Sequence, residues 1–221
     1  MRKILRGMMD TMNAVNPPRM TALKELHEAE TGPFSILIGT ILSARTKDET
    51  TTKIVKVLFS KYKNPKELAN AKIKDVEKVI KSIGFYHVKS KRIIEVAKII
   101  DKKYKGKVPD DMDTLVQLPG VGRKTANCVL VYAYEKPAIP VDIHVHRISN
   151  RLGLVDTKNP EETEQELMKK IQKKYWLEIN DTFVMYGQNI CKPISPMCNI
   201  CKIKKNCKYY KLKIKKLHKD I

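Results

Sequence analysis

The chain has 221 residues, with 44 Lys and Arg against 24 Asp and Glu, a formal net charge of +20 at pH 7. That length allows one large domain or two small ones around a real hydrophobic core, and a surplus of this size points to a polyanionic partner, of which nucleic acid is the commonest. No run of about 18 apolar residues occurs, which excludes a membrane-spanning helix, and the first 30 residues lack a signal-peptide hydrophobic region and cleavage site, so an intracellular, cytoplasmic location is expected.

Helical periodicity dominates the chain. Phe34, Leu37, Ile38, Ile41 and Leu42 share one face of a first segment. Asp48 to Tyr62 and Lys74 to Ser82 read as the next two helices, and Ile93, Ala97, Ile100 and Tyr104 repeat the apolar face after the turn Ile83-Gly84-Phe85-Tyr86. Pro160 to Lys174 and roughly Ile179 to Ile190 read as helices further on. Short breakers separate them, among them Asn64-Pro65, Gly106, Pro109, Pro137 and Pro140. Sustained apolar/polar alternation is missing, so the expected class is all-α, with about ten helices and short loops. The Lys-rich tail after Cys207 is expected to fray. Charge is uneven: from Cys191 to Ile221 there are ten Lys and one Asp, which favours a binding surface over a uniform solubility coat.

Leu118-Pro119-Gly120-Val121-Gly122 joins two helices through a glycine turn. Its backbone N–H groups, together with the unsatisfied donors and dipole of the next helix, form an anion site suited to a DNA phosphate. This is the helix-hairpin-helix pattern, carried by Gly120, Gly122 and Arg123 in LPGVGRKTA. Lys124 falls in the first turn of a helix that is apolar nearly all round from Thr125 onward. It reads either as a phosphate contact or as a nucleophile whose amine is deprotonated more easily through desolvation, Arg123 and the helix dipole. Asp142, eighteen residues later, precedes the apolar-periodic run Ile143, Val145, Ile148 and Leu152. It reads as the N-cap of that helix, a role compatible with stabilising positive charge or taking a proton. His144 and His146 are two apart, point to different faces and suit packing or capping. Cys191, Cys198, Cys201 and Cys207 form C-x6-C-x2-C-x5-C within 17 residues, a set that suits tetrahedral zinc or an iron–sulfur cluster. Cys128 reads as a small core residue.

The ordered combination of LPGVGRKTA, VDIH and the four cysteines closely resembles the endonuclease III family of DNA glycosylases, over roughly residues 33 to 210. ILSARTKDE, IKSIGFYHVKSKRI and GKVPDDMDTLVQLPGVGRKTAN extend the resemblance. It implies two helical lobes with a DNA-binding groove between them: a block at 33–137 with the hairpin, and a discontinuous lobe of 1–32 and 138–221 carrying the cluster. It implies a [4Fe–4S] cluster on the four cysteines, Lys124 as nucleophile and Asp142 as catalytic aspartate. The implied activity is base-excision removal of oxidised or reduced pyrimidines with AP lyase cleavage by β-elimination. The implied partner is duplex DNA with damaged bases or abasic sites, met by a monomeric, nucleoid-associated enzyme.

Three positions depart from the family pattern. Arg45 stands where the family shows the glutamine of LSAQ, which helps fill the gap left by a flipped base. Phe85 stands where a wedging leucine is usual. Between Cys191 and Cys198 only Lys192 remains of a loop that is rich in basic residues in relatives. Arg45 on a phosphate and Phe85 in the core are the plainer alternatives. Two other functional readings compete with the lyase: a monofunctional uracil or thymine mismatch glycosylase of the same superfamily, and a non-catalytic helix-hairpin-helix DNA-binding module with a structural metal.

Overall fold

The computed structural model describes residues 1–15 and 20–217, with side chains as far as residue 212, and contains no β-strand among them. Thirteen α-helices are present among the described residues. The chain divides into two compact units, Thr21–Ala138 and Met1–Met20 with Ile139–Ile221. The helix α1 (Arg2–Asn13) opens the second unit, and α2 (Ala22–Glu28) to α9 build the first.

In the first unit α3 (Gly32–Ser43) is the central strut. Every residue from Phe34 to Leu42 is buried, so the face expected from periodicity is only part of a helix covered all round. Its cover is α2, α4 (Asp48–Lys61), α7 (Tyr86–Lys102) and α9 (Arg123–Tyr134). Each large aliphatic side chain buried in this way contributes about 1.5–3 kcal/mol before chain entropy is set against it. Gly39 lets α2 approach, since a Cβ there would stand 2.7 Å from Leu26 Cδ1. Because α2 packs on α3, α4 and α9, the unit begins at Thr21 and not at residue 33, where the sequence reading set its edge. The Asn64-Pro65 breaker starts a short helix, α5 (Pro65–Ala69), before α6 (Ile73–Ile80). Asn64 Oδ1 accepts from Glu67 N at 2.9 Å and Glu67 Oε2 accepts from Lys63 N at 2.8 Å, a reciprocal cap with proline at the tolerated first position. A one-turn helix, α8 (Met112–Leu115), leads into the glycine turn.

The second unit packs α1, α10 (Ile143–Leu152), α11 (Pro160–Lys170), α12 (Trp176–Asn189) and α13 (Lys208–Leu217) around Leu5, Met8, Met12, Val145, Ile148 and Phe183. Two expectations change here. The helix from Pro160 stops at Lys170, because Ile171 is extended (φ −106°, ψ 133°) and its carbonyl takes a 2.9 Å bond from Trp176 Nε1. A 3-10 turn at Lys173–Tyr175 then leads into α12, which starts at Trp176 and not near Ile179. The tail expected to fray forms α13 instead, held where the Arg151 guanidinium lies 4.6 Å from the Tyr209 ring centroid. Residues 218–221 of that tail lie outside the described residues.

Candidate functional site

The turn before α9 is closed by Val121 N donating to Leu118 O at 3.0 Å, and both side chains are buried anchors. Its two glycines serve different ends. Gly120 has φ +74°, and a Cβ there would stand 2.0 Å from Arg92 Cδ, so backbone and packing both demand glycine. Gly122, the N-cap of α9, has ordinary extended backbone (φ −89°, ψ 177°), and a Cβ there would meet nothing within 4 Å. Nothing within the chain demands glycine at 122. Its bareness leaves an open approach to the first N–H groups of α9, where an anion is favoured. Arg123 and Lys124 are the first two residues of α9 and both are exposed, while Ala126 to Tyr132 are buried. The desolvation expected at Lys124 is therefore not supplied by its own helix: the apolar shaft begins two residues later and the lysine stands outside it. Cys128 lies within that shaft, buried as expected.

Arg45 and Phe85, forty positions apart in sequence, meet in the same unit. The Arg45 guanidinium carbon lies 5.7 Å from the Phe85 ring centroid. Both residues are left-handed (φ 54° and 59°), which is uncommon outside glycine. Phe85 is 63% exposed, so it is no core residue. The exposed ring and the guanidinium over it form one cation–π patch on the surface of this unit.

Asp142 caps α10. Its Oδ1 accepts from His144 N and Val145 N, both at 2.8 Å, so the carboxylate is rigidly held and half-buried. The cap and the cysteines share this helix as support. Arg147 donates from Nη2 to Cys191 O at 2.9 Å and to Gly187 O at 3.0 Å. One turn on, Arg151 donates to Lys192 O at 2.7 Å, to Pro193 O at 2.8 Å and to Cys191 Sγ at 3.4 Å. Both arginines thus fasten the exposed segment of Lys192 to the helix that begins at Asp142. Gly187 permits the close crossing of α10 and α12, since a Cβ there would stand 2.7 Å from His144 Nδ1. His146 Nδ1 lies 2.6 Å from Thr163 Oγ1, a packing role as expected.

Cys191, Cys198, Cys201 and Cys207 line one cavity, with Arg151, Tyr186 and Tyr210 among its walls. Tyr186 Oη donates to Cys201 Sγ at 3.0 Å, and Cys207 Sγ lies 3.2 Å from Arg151 O. Burial pushes the Cys207 thiol up. Among the described residues no three His, Cys, Asp or Glu side chains converge as ligands of a single metal ion.

Arg92, Arg147, Arg151 and Tyr186 escaped the sequence reading. Arg147 and Arg151 are four apart on α10, a spacing that puts them on one face, but only the location of the cysteine loop gives that face a meaning.

Residues 38–173 match the family described as HhH-GPD superfamily base excision DNA repair protein. Endonuclease III of Thermotoga maritima is 51% identical over 182 residues, 82% of this chain and 85% of the relative. Endonuclease III of Bacillus subtilis is 40% identical over 185 residues, 83% of this chain and 84% of the relative. Among solved structures, a trapped endonuclease III–DNA covalent intermediate, an estranged-adenine complex, superposes with a TM-score of 0.81 at 35% identity over 96% of each chain.

Proposed function

This chain belongs to the endonuclease III family within the HhH-GPD superfamily of base excision DNA repair proteins, and from that membership we propose a base-excision DNA glycosylase with AP lyase activity whose nucleophile is Lys124. The substrate is duplex DNA carrying an oxidised or reduced pyrimidine, or an abasic site. No helix among the described residues is long and apolar enough to cross a membrane.

The reaction begins when the damaged nucleotide leaves the stack. Backbone donors at Gly120 and Gly122, with Arg123, hold a phosphate at the start of α9, Lys192 takes another, and Arg45 with Phe85 fills the space the base vacates. The Lys124 amine attacks C1′. The C1′–N bond breaks, and its electron pair leaves with the base, which takes up a proton. Asp142 accepts a proton from the attacking amine and stabilises positive charge on the sugar. Ring opening gives an iminium linkage between Lys124 and C1′. Loss of a C2′ proton then expels the 3′ phosphate by β-elimination, and water hydrolyses the imine to free the lysine. No diffusible cofactor is consumed.

Cys191, Cys198, Cys201 and Cys207 would hold a [4Fe–4S] cluster. Their shared cavity and the donors aimed at two of the sulfurs support a cysteine-held metal centre there, and membership of the endonuclease III family favours the cluster over one zinc ion. When bound, the cluster supplies a fixed charged anchor for the loop from Cys191 to Cys207, and base release does not run through it.

The observation that carries the reading is an exposed lysine as the second residue of α9, two residues after a glycine N-cap with open space where a side chain would stand. The test is strand scission on a duplex with an oxidised pyrimidine, quenched with and without alkali. Wild type is expected to cut without alkali, and Lys124→Ala to release neither base nor strand. Base release at the wild-type rate in that variant would place the nucleophile elsewhere, and breaks that require alkali in wild type would favour the monofunctional alternative.

A further inference from the structure

We propose that Lys89 is the positioning residue of the Arg45–Phe85 pair: one side chain, inserted between the end of α3 and the start of α7, sets the arginine turn against the phenylalanine. The inference rests on the reading of that pair as the element that fills the vacated base position.

Lys89 lies four residues into α7 and is 5% exposed. A buried ammonium is unfavourable unless its hydrogen bonds are met. Here its three donors meet three acceptors, Leu42 O at 2.8 Å, Ala44 O at 2.6 Å and Thr46 Oγ1 at 3.2 Å. Leu42 and Ala44 sit at the C-terminus of α3, where carbonyls have no partner within the helix and the dipole favours a cation. Lys89 is thus a C-cap supplied by another helix. Two of its three acceptors, at 44 and 46, flank Arg45 directly.

The opposite end of the same residue is tied to the other member of the pair. Lys89 N donates to Phe85 O at 3.0 Å. Main chain and side chain of one residue therefore connect Phe85 with the turn that carries Arg45. Gly84 also packs close to this turn, since a Cβ there would stand 3.2 Å from Arg45 O. A left-handed conformation at a residue with a side chain is costly and persists only where its surroundings over-determine it. Arg45 and Phe85 both pay that cost, and Lys89 is the group that touches both segments. Burial and the charge of Arg92 lower the Lys89 pKa to about 8, while the bonds to the three acceptors favour the charged form against that cost.

The full-length protein is tested on a duplex with 2-aminopurine opposite a tetrahydrofuran abasic analogue, where fluorescence reports unstacking at the lesion. Wild type is expected to raise the fluorescence and Phe85→Ala to abolish the rise. Lys89→Met, checked for native helicity by circular dichroism, is expected to lose most of the rise and to slow single-turnover base release on the order of tenfold or more. A Phe85→Ala protein with a wild-type rise overturns the wedge reading and this inference with it. Loss of the rise in Phe85→Ala but not in folded Lys89→Met overturns the role of Lys89 alone. Should Lys89→Met not fold, Thr46→Val decides, because it removes one acceptor from an exposed turn: a reduced rise supports the clamp, and a wild-type rise overturns it.

Discussion

The hydroxyl of Tyr186 donates a 3.0 Å hydrogen bond to the sulfur of Cys201 from a side chain that is only 2% exposed. Burial and the neighbouring thiol push the phenol far above its ordinary pKa, so it remains a donor at any working pH. Hydrogen bonds to cluster sulfurs favour the more negatively charged, reduced state. With the proposed cluster in place, Tyr186→Phe is therefore expected to keep its absorbance and to lower its reduction potential, read by voltammetry on the intact protein. An unchanged potential would mean that the phenol does not act on the cluster.

Asp142 combines a cap with a proposed chemical role, and two substitutions separate them. Asparagine caps a helix about as well as aspartate, whereas alanine costs about 1 kcal/mol. Asp142→Asn is expected to retain the wild-type melting temperature and Asp142→Ala to lower it. Both are expected to slow single-turnover base release by roughly 10²–10⁴-fold, the range of a lost general base. Wild-type rates in Asp142→Asn would reduce Asp142 to its cap.

The glycines of the hairpin give opposite expectations. Gly120→Ala meets Arg92 and a positive φ, so it should lower the melting temperature. Gly122→Ala has open space and ordinary backbone, so it should leave stability unchanged. It should nonetheless weaken binding to damaged and undamaged duplex alike, since its methyl would stand where a phosphate approaches. Wild-type affinity in Gly122→Ala, measured at fixed salt, would remove the hairpin from the DNA contact.

These features were legible in the sequence to very different degrees. The hairpin, Lys124, Asp142 and the cysteine set lie within short stretches, where residue type and spacing already imply the chemistry. Arg45 and Phe85 were each conspicuous, but nothing local shows that residues so far apart touch. Lys89 gives no signal in sequence, because a lysine four residues into an amphipathic helix ordinarily faces solvent. Its role depends on where α3 ends. The Lys-rich composition of α13 pointed to fraying, yet Tyr209 under Arg151 and Tyr210 in the cysteine cavity give that helix a half-buried edge. The edge at Thr21 was likewise invisible, since α2 is short and only its packing assigns it to a unit.

Lys89 also leaves a trace in the pH dependence of stability. Its pKa is about 8 in the folded chain against 10.5 ordinarily, so between those values the unfolded state binds more protons and stability rises with pH. Tyr134, raised to about 12 by burial, contributes the opposite slope, lost stability, only above about pH 10, the ordinary tyrosine value. The Cys207 thiol, raised by burial, adds a falling slope inside the window from pH 8 to 10, so Lys89 is read there from the difference between wild type and Lys89→Met. Denaturant melts of wild type should strengthen across it, and those of folded Lys89→Met should lack that increment. The same slope in both proteins would contradict the buried ammonium.

The central claim is that the Lys124 amine forms a covalent link to the sugar. Borohydride reduction of the protein on duplex DNA with an abasic site tests it most directly, because only an imine between amine and C1′ is captured. Wild type should yield a stable protein–DNA adduct whose DNA-linked peptide contains Lys124, and Lys124→Ala should yield none. An adduct of wild-type yield in Lys124→Ala, or a linked peptide without Lys124, would contradict the account.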